Sequence, residues 1–440
     1  MNRLLYLLSV SVSGIKSIKD EVRLNFYKKT VDKDFIPEQY RIKAIYGENG
    51  SGKSAIITAI KILRDCVLNN NYLNESKTQS FLNEMINKTT KKLEISFEYF
   101  VNLGTEKTVY NYSIEISKSA DGFYGIKHEI LKMKNANYSN KNYKVIFESR
   151  DGELTQILCD NNDRQEIEKK TINLLWTQSF SYIYIWNFGR SKKGLLNLTT
   201  HICFHIMLAA TLKIYIAEED QHELYFFRKR IEANSINSNV WGEAWDEFNR
   251  ILSSASSVNE RQIRKEQFKK YKEKVKQLTE FIKIFKRDLV SIDIDAKENG
   301  EYYECDLNLN YGEYSINKEF ESTGIKKLIR LFDCFVLASE GGIVFIDEMD
   351  SNLNDVYLCK IIEYFMYYGK GQLCFTTHNL DPMSVLKENK NSIDFLSSDN
   401  HLVSWTARGN ASPENCYKNG MIEDSPFNID AVDFVGIFGE

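Results

Sequence analysis

A short glycine-rich segment, residues 47–54, has the composition and spacing of a phosphate-binding loop. It fits the pattern G-x-x-x-x-G-K-[ST] at every defined position and consists of Gly47, Glu48, Asn49, Gly50, Ser51, Gly52, Lys53 and Ser54. Glycines allow several backbone N–H groups to point at one anion, and a helix that follows presents the positive end of its dipole there. We expect Lys53 to reach the β- and γ-phosphates and the Ser54 hydroxyl to bind Mg²⁺. A glycine turn without a ligand is the alternative, but the apolar strand before the loop and the helical spacing after it favour phosphate binding.

The second segment that could do chemistry is an apolar run that ends in acids, Gly342–Asp350. A carboxylate at the end of a buried strand beside a phosphate loop can hold Mg²⁺, directly or through water, and we expect this of Asp347. Glu348 can then orient and deprotonate the attacking water, provided that its carboxylate reaches the γ-phosphate. A strand that simply ends in solvated acids is the alternative. The phosphate loop in the same chain favours the catalytic interpretation.

Two weaker signals gain meaning from their positions. Residues 373–379 form a β-type run in which a neutral His378 could hydrogen-bond a γ-phosphate oxygen, although a lone histidine at a strand end is more often a surface residue. Ser322 and Gly324 open an apolar helix just before the acidic strand, where the helix N-terminus could receive an anion. Read in isolation, Ser322 is explained by helix capping.

In this order, the four elements resemble the ATP-binding-cassette (ABC) ATPases of the structural-maintenance-of-chromosomes (SMC) and overcoming-lysogenization-defect (OLD) type. More closely, they look like the stand-alone ATPases that form one subunit of antiphage systems such as PARIS and Septu. The resemblance covers the first sixty residues, which include a strand-pair motif at 14–18, and roughly 290–440. It assigns Walker A to Gly47–Ser54, Walker B to Ile343–Glu348, a degenerate signature to Ser322 and Gly324, the D-loop to Asp350–Asn354 and the switch histidine to His378.

The sequence departs from the family pattern in the elements that couple subunits. The signature lacks the fuller L-S-G-G-Q form, and Asn354 stands where many relatives carry histidine. By distance from the phosphate loop, Gln79 is the candidate for the Q-loop glutamine. These departures concern the coupling of partner binding to hydrolysis more than ATP binding itself.

The resemblance implies an α/β fold, an ABC-type P-loop NTPase head with a mixed sheet, an antiparallel β subdomain and a helical, partly coiled-coil insertion. It implies ATP and Mg²⁺ as cofactors, and Glu348 and His378 as the catalytic residues. It also implies at least a head-to-tail dimer, in which the phosphate loop of one subunit faces Ser322 and Gly324 of another, with Asp350 among the nucleotide-binding residues. OLD nucleases append a Toprim domain, for which too few residues follow His378. We therefore expect the effector to be a separate protein.

Hydrophobic periodicity divides the chain into three regions. Alternation over residues 91–160 predicts an antiparallel meander, and residues 165–290 are mostly helical in spacing. We predict an N-terminal ATPase lobe at 1–195 with Walker A and the meander, and a helical or coiled-coil insertion at 196–290. The C-terminal ATPase lobe, 291–440, then carries the signature, Walker B and the switch histidine.

A basic helix is predicted near the end of the insertion. Its apolar residues recur at spacings of 3 and 4, namely Phe268, Tyr271, Val275, Leu278, Ile282, Phe285 and Leu289. This heptad seam predicts pairing with another helix, most simply one from residues 196–260. Between Arg261 and Arg287 there are eleven Lys or Arg against three Glu. A solvated face is the ordinary explanation, and binding of DNA or an acidic phage protein is the functional one.

Composition excludes several classes of protein. The 440 residues are 43% hydrophobic, and 57 Lys and Arg against 61 Asp and Glu give a net charge of −4, so no overall basic bias indicates nucleic acid. Short apolar stretches predict no membrane span. The eight cysteines are scattered without a C-x-x-C pair, which indicates reduced thiols and a cytoplasmic protein. His201 and His205 could offer two metal ligands on one helix face, but without a third ligand in register we interpret them as core histidines.

Two classes of function remain open at this point. In the first, the chain is an ATPase that senses or scaffolds and controls a separate nuclease or toxin during phage infection. In the second, it is an SMC-like DNA-maintenance or repair ATPase that clamps nucleic acid directly. A small-molecule kinase is a third alternative, which the signature and Asp350 disfavour because a kinase needs neither. The identity of the neighbouring gene would discriminate between the first two.

Overall fold

A computed structural model describes residues 5–29, 31, 35–103, 107–136, 142–188, 195–216, 257–389, 391–406, 411–423, 425 and 437. Its α-helices are α1 (Lys53–Leu68), α2 (Ser76–Met85), α3 (Asn161–Thr171), α4 (Phe180–Phe188), α5 (Leu196–Thr211), α6 (Phe268–Phe285), α7 (Thr323–Glu340), α8 (Asp355–Tyr367), α9 (Pro382–Leu386) and α10 (Pro413–Lys418). None of the helices in these residues is long and apolar enough to cross a membrane.

The strands form three sheets. In chain order they are β1 (Leu5–Ser13), β2 (Val22–Asn25), β3 (Ile42–Tyr46), β4 (Lys92–Asn102), β5 (Lys107–Lys118), β6 (Tyr124–Asn135), β7 (Lys144–Arg150), β8 (Glu153–Ile157), β9 (Leu212–Tyr215), β10 (Gln262–Arg264), β11 (Ser291–Asn299), β12 (Tyr302–Asn310), β13 (Ser315–Asn317), β14 (Ile343–Ile346), β15 (Gln372–Thr376), β16 (Ile393–Leu396) and β17 (Leu402–Ser404).

The first sheet is a seven-stranded antiparallel sheet with the order β2-β1-β4-β5-β6-β7-β8. Alternate residues of β4, such as Leu93, Ile95 and Phe97, are buried, because one face of the sheet packs on α1, α4 and α5. The predicted meander is confirmed, and the N-terminal apolar run is its inner strand β1. The buried amide of Gln372 joins this sheet to the next one, donating to the Leu7 carbonyl (2.9 Å) and accepting its N–H (2.8 Å).

The second sheet carries the predicted chemistry and has the order β17-β16-β3-β15-β14-β9. All its pairs are parallel except β16–β17. Every residue of β3, β14, β15 and β16 is buried, as expected of a parallel sheet that is covered on both faces. One face belongs to the core shared with α1 and the antiparallel sheet, and the other to the core shared with α6, α7 and α8. The predicted α/β fold class, with a mixed sheet and an antiparallel subdomain, is confirmed.

The basic helix α6 forms, and within the described residues its apolar face packs on α7 and the third sheet; most of the region predicted to pair with it, residues 217–256, lies outside the described residues. Its apolar face, with Val275, Leu278 and Ile282, belongs to the core formed with α7 and the third sheet, β10-β12-β11 with β13. Phe281 contacts two aromatic rings of α7 at 5.4 and 6.0 Å. A buried ion pair of 2.8 Å between Lys274 and Asp333 also joins the two helices. Helix α5, from the region expected to pair with α6, instead packs in the other core because it is apolar on nearly every side.

The three-region division of the chain remains a prediction. The parts of the middle region that the structure describes, at its two ends, contribute strands to the second and third sheets. Strand β9 lies at the edge of the second sheet, paired with β14, and β10 pairs with β12. Much of the predicted coiled-coil insertion, residues 217–256, lies outside the described residues.

Candidate active site

The predicted site residues meet at one edge of the second sheet. Strands β3, β15 and β14 are parallel neighbours in that order, so their carboxyl ends lie side by side. Gly47 follows β3 directly, Thr377 follows β15 and Asp347 follows β14. The topology therefore brings the phosphate loop, the acidic strand end and the segment of His378 together, although about 300 residues of chain separate the first from the other two.

The phosphate loop has the backbone that its glycines permit. Gly47, Gly50 and Gly52 have φ of +155°, +85° and +106°, and the last two lie in the left-handed region. A Cβ on Gly47 would stand 2.4 Å from the Leu396 carbonyl, so the loop packs against the end of β16. The buried Lys53 ammonium donates to the carbonyls of Gly47 and Glu48, both at 2.8 Å. These bonds span the loop and hold it as a ring beside the start of α1.

A segment that sequence reasoning did not assign to the site supports the phosphate loop from outside. The turn after β1 contains a bridge between Ile15 and Ile18, and the Ser17 hydroxyl donates to the Gly50 carbonyl at 3.3 Å. A Cβ on Gly52 would lie 2.8 Å from the Ile18 side chain. The strand-pair motif at 14–18 is therefore a wall of the phosphate loop, and its apolar residues alone do not reveal that contact.

The acidic strand end is organised by Thr376, a second residue that the sequence did not reveal. Its buried hydroxyl donates to an Asp347 carboxylate oxygen at 2.6 Å and accepts the Glu348 N–H at 2.7 Å. The Asp347 N–H donates to the Tyr215 carbonyl at the end of β9. Asp347 is thus held on both sides, whereas the Glu348 side chain is exposed and its backbone is left-handed, with φ of +47°. The turn thus holds one carboxylate buried and leaves the next one exposed.

His378 is exposed beside these acids, and its backbone N–H donates to Asp350 at 3.4 Å. Partial burial lowers the pKa of His378 below its ordinary 6.5, the positive charge of Lys53 lowers it further, and the neighbouring carboxylates oppose this. The imidazole is therefore neutral at neutral pH. Burial likewise lowers the pKa of Lys53, and the carboxylates, Asp347 foremost, oppose that shift.

Ser322 and Gly324 lie against the turn that follows the acids. Ser322 is exposed and caps α7 through its hydroxyl, which accepts the Ile325 N–H at 3.4 Å. A Cβ on Gly324 would be 2.8 Å from the Asn352 carbonyl. Asn354 caps α8 by accepting the Val356 N–H at 3.0 Å. The predicted signature therefore lies beside the predicted D-loop of the same chain, and Ser322 of the signature is exposed.

The residues present fit a nucleoside triphosphate with Mg²⁺. Residues 47–54 combine the backbone amides of a glycine loop, the Lys53 ammonium and the N-terminus of α1, all groups that bind anions. The buried Ser51 hydroxyl has no hydrogen-bond partner within the part of the chain that the structure describes. Ser54, at the start of α1, and Asp347 supply oxygen donors for Mg²⁺. No group of three or more His, Cys, Asp or Glu suited to a metal occurs within the described residues. That fits Mg²⁺, which commonly takes one or two protein ligands and completes its shell with phosphate and water.

Two other sequence candidates lie away from this edge. The Gln79 side chain donates to the carbonyls of Leu73 and Tyr124 and accepts the Tyr124 N–H, so its amide ties α2 to β6. His201 and His205 are buried between α5 and the antiparallel sheet, as interpreted, and His201 shares a 2.8 Å bond with the Tyr110 hydroxyl. Burial lowers the pKa of His201 to about 4 and that of His205 to about 3, so both are neutral core residues.

One of the comparisons with known proteins, a match to a family model, agrees with a nucleotide site at this edge. A family model described as "AAA domain, putative AbiEii toxin, Type IV TA system" matches residues 42–157, which contain the phosphate loop. The match supports an AAA-type ATP-binding segment. No curated protein matches the chain. Among solved structures the chain is similar to the recombination mediator protein RecF-ATPrS in the RecFOR pathway, with 13% identity and a TM-score of 0.41 over 92% of this chain and 99% of that one.

Proposed function

We propose that this chain binds and hydrolyses ATP with Mg²⁺ and acts as the sensor or scaffold subunit that controls a separate effector, such as a nuclease or toxin, in antiphage defence. One observation carries the ATPase part. The loop that contains Lys53 follows strand β3, the Asp347–Glu348 turn follows strand β14, and these two parallel strands are separated in the sheet by β15 alone. The defence part rests on the resemblance of the motifs; the description of the matched family names a putative toxin and a type IV TA system.

Each residue has a role that its geometry supports. Lys53 and the loop amides bind the phosphates, and Ser54 and Asp347 hold Mg²⁺, which neutralises phosphate charge when bound. Glu348, exposed at the strand end, accepts the proton of the attacking water. The neutral His378, fixed through its backbone to Asp350, donates a hydrogen bond to a γ-phosphate oxygen.

The outward position of the predicted signature supports a head-to-tail dimer. Ser322 is exposed at the start of α7, and Gly324, two residues further on, packs against the turn that carries Asp350 and Asn352. A second subunit would bring its phosphate loop to this face, where the helix N-terminus offers donors to the γ-phosphate. ATP would then be part of the interface. The state of assembly would therefore signal to the effector whether ATP or ADP is bound.

Metal removal tests the ATPase assignment. The purified chain should release phosphate from ATP in the presence of Mg²⁺, and phosphate release should fall to background with EDTA. The cation neutralises the phosphate charge, which neither the anionic Asp347 nor the uncharged Ser54 can do in its place. Phosphate release is followed with a coupled assay, and restoring excess Mg²⁺ should recover the rate. Turnover that is indifferent to EDTA would contradict the assigned roles of Ser54 and Asp347.

A nucleic-acid clamp is the second candidate, and the exposed face of α6 favours it. Lys269, Lys272 and Lys276 are exposed along this helix, while Lys274 turns inward to Asp333. The apolar seam is covered by α7 and the third sheet, so the lysines form an outward row. An acidic phage protein would suit the same face.

Charge reversal on this face separates the two candidates. We expect the combined change of Lys269, Lys272, Lys276 and Lys283 to Glu to leave ATPase activity within about twofold, because the catalytic groups lie on other elements. Binding of duplex DNA should be lost, and wild-type binding should weaken steeply with salt, since such attraction is screened over about 8–10 Å at physiological ionic strength. Fluorescence anisotropy at several salt concentrations measures both.

The matched control reverses four exposed lysines elsewhere, Lys77, Lys88, Lys169 and Lys370. It changes the net charge equally, so equal losses in both variants would reflect the overall charge. If the α6 variant keeps full DNA binding and full defence in cells, the basic row is only a solvated face.

A further inference from the structure

A buried lysine of the signature helix contacts the acidic turn from behind. Lys327 lies one turn into α7 and is 8% exposed. Its ammonium donates to the Glu348 carbonyl at 3.1 Å and to the Ser351 hydroxyl at 2.9 Å. It also lies 4.7 Å from the centre of the Tyr215 ring, at the end of β9. The ammonium therefore lies between the acidic turn and the end of β9, and it bonds the backbone of the proposed catalytic turn.

Simple packing does not account for a cation at this place. Burial lowers the pKa of Lys327, and the carboxylates of Glu348, Asp350 and Asp347 oppose that shift. An ammonium out of water is costly unless its donors are used and its charge is balanced. Among the residues that the structure describes, the acidic turn and the Tyr215 ring meet both conditions, so that turn explains the position of Lys327.

The turn needs such support because its backbone is unusual. Glu348 has φ of +47°, a left-handed conformation that a residue with a Cβ rarely adopts unless its surroundings impose it. Thr376 holds the Glu348 N–H on one side. On the other side the Glu348 carbonyl accepts both the Ser351 N–H at 3.1 Å and the Lys327 ammonium. Together these bonds fix the peptide units on both sides of Glu348.

We propose that Lys327 is a positioning residue for ATP hydrolysis, whose ammonium fixes the Glu348 backbone so that the carboxylate points at the attacking water. The inference rests on the proposed ATPase function and adds a residue to it. Lys327 does not touch the nucleotide, because its ammonium is buried against the turn. Since Gly324 packs on Asn352, the same helix contacts the turn at two points.

The test compares variants at adjacent lysines of the wild-type chain. Lys327→Met keeps the length of the side chain and removes its donors and charge, and Lys327→Arg keeps the charge. Lys326→Met is the matched control. Lys326 lies on the same helix, but its ammonium donates at the surface to the Glu319 carbonyl and not to the acidic turn. Ser351→Ala keeps the ammonium and removes one acceptor. The kcat and KM for ATP, and affinity for a fluorescent ATP analogue, are measured for each.

We expect Lys327→Met to lower kcat by about 30-fold or more while nucleotide affinity stays within about threefold, since a displaced catalytic group costs rate rather than binding. Lys327→Arg should recover part of kcat, Ser351→Ala should lose several-fold, and Lys326→Met should match the wild type. Ser351→Ala keeps the test valid if Lys327→Met does not fold.

Three outcomes would overturn the inference. A Lys327→Met kcat within twofold of the wild type removes the positioning role. An equal loss of nucleotide affinity assigns Lys327 to binding instead. A wild-type chain that binds no ATP and has no turnover overturns the proposed function and this inference together. If the wild type is active and Lys327→Met has the same kcat, the inference alone is overturned.

Discussion

Replacing Lys53 by alanine is expected to abolish ATP turnover, with a loss of at least about 100-fold, while the chain still folds. The ammonium is the only side-chain cation assigned to the phosphates, and a charge-assisted contact in a site that excludes water contributes several kcal/mol. Each ~1.4 kcal/mol corresponds to tenfold in rate or affinity. The variant also leaves the Gly47 and Glu48 carbonyls without their donor, so the loop loses its internal ring of bonds. Phosphate release and binding of a fluorescent ATP analogue measure the loss.

Lys61→Ala is the control for this experiment. Lys61 lies on the same helix, two turns further on, where it pairs with Asp65 at 2.7 Å. Its loss should leave kcat and affinity unchanged, and circular dichroism with thermal melting should show both variants folded. Unchanged turnover in a folded Lys53→Ala protein would remove the phosphate-loop assignment.

Glu348→Gln should separate binding from chemistry. The amide keeps the size of the side chain and the left-handed turn, but it cannot accept a proton from the attacking water. General-base catalysis is worth about 10²–10⁴ in rate, so we expect at least a 100-fold fall in kcat with ATP and Mg²⁺ affinity retained. Because ATP is then bound but not consumed, the ATP-bound assembly should accumulate. Light scattering after size-exclusion chromatography with and without ATP detects the dimer.

Glu363→Gln provides the comparison, because Glu363 lies on the exposed side of α8 and pairs with Lys360 at 2.6 Å. It should hydrolyse ATP at the wild-type rate. A Glu348→Gln variant that loses nucleotide affinity as severely as Lys53→Ala would mean that Glu348 binds the metal or supports the turn, and the base assignment would be wrong.

Local sequence patterns predicted the elements that depend on nearby residues. The apolar run before the phosphate loop and the helix after it are strand Ile42–Tyr46 and helix Lys53–Leu68. The meander follows from alternation along each strand, and the α6 helix from its heptad spacing. These features need no knowledge of distant parts of the chain.

Contacts between distant segments could not be predicted in the same way. Thr376 is one threonine at the end of a β-type run, and nothing in its neighbours indicates that it bonds Asp347, which lies on another strand. Lys327 belongs to a pair of lysines at a helix start, and only the fold decides which one turns inward. The heptad seam of α6 shows that an apolar face exists, but its partner, α7, is chosen by tertiary packing.

The order of strands in the second sheet has a consequence for how the chain is made. Strand β3 lies between β15 and β16, the strands from the far end of the sequence. At roughly 5–20 residues per second, a ribosome completes β14–β16 about 15–70 s after β3. Until then β3 has neither neighbour, and its apolar residues must be shielded by the antiparallel sheet or by a chaperone. A nascent chain that ends before β14 and β15 therefore lacks Asp347, Glu348 and His378, so the proposed ATP site cannot form on it.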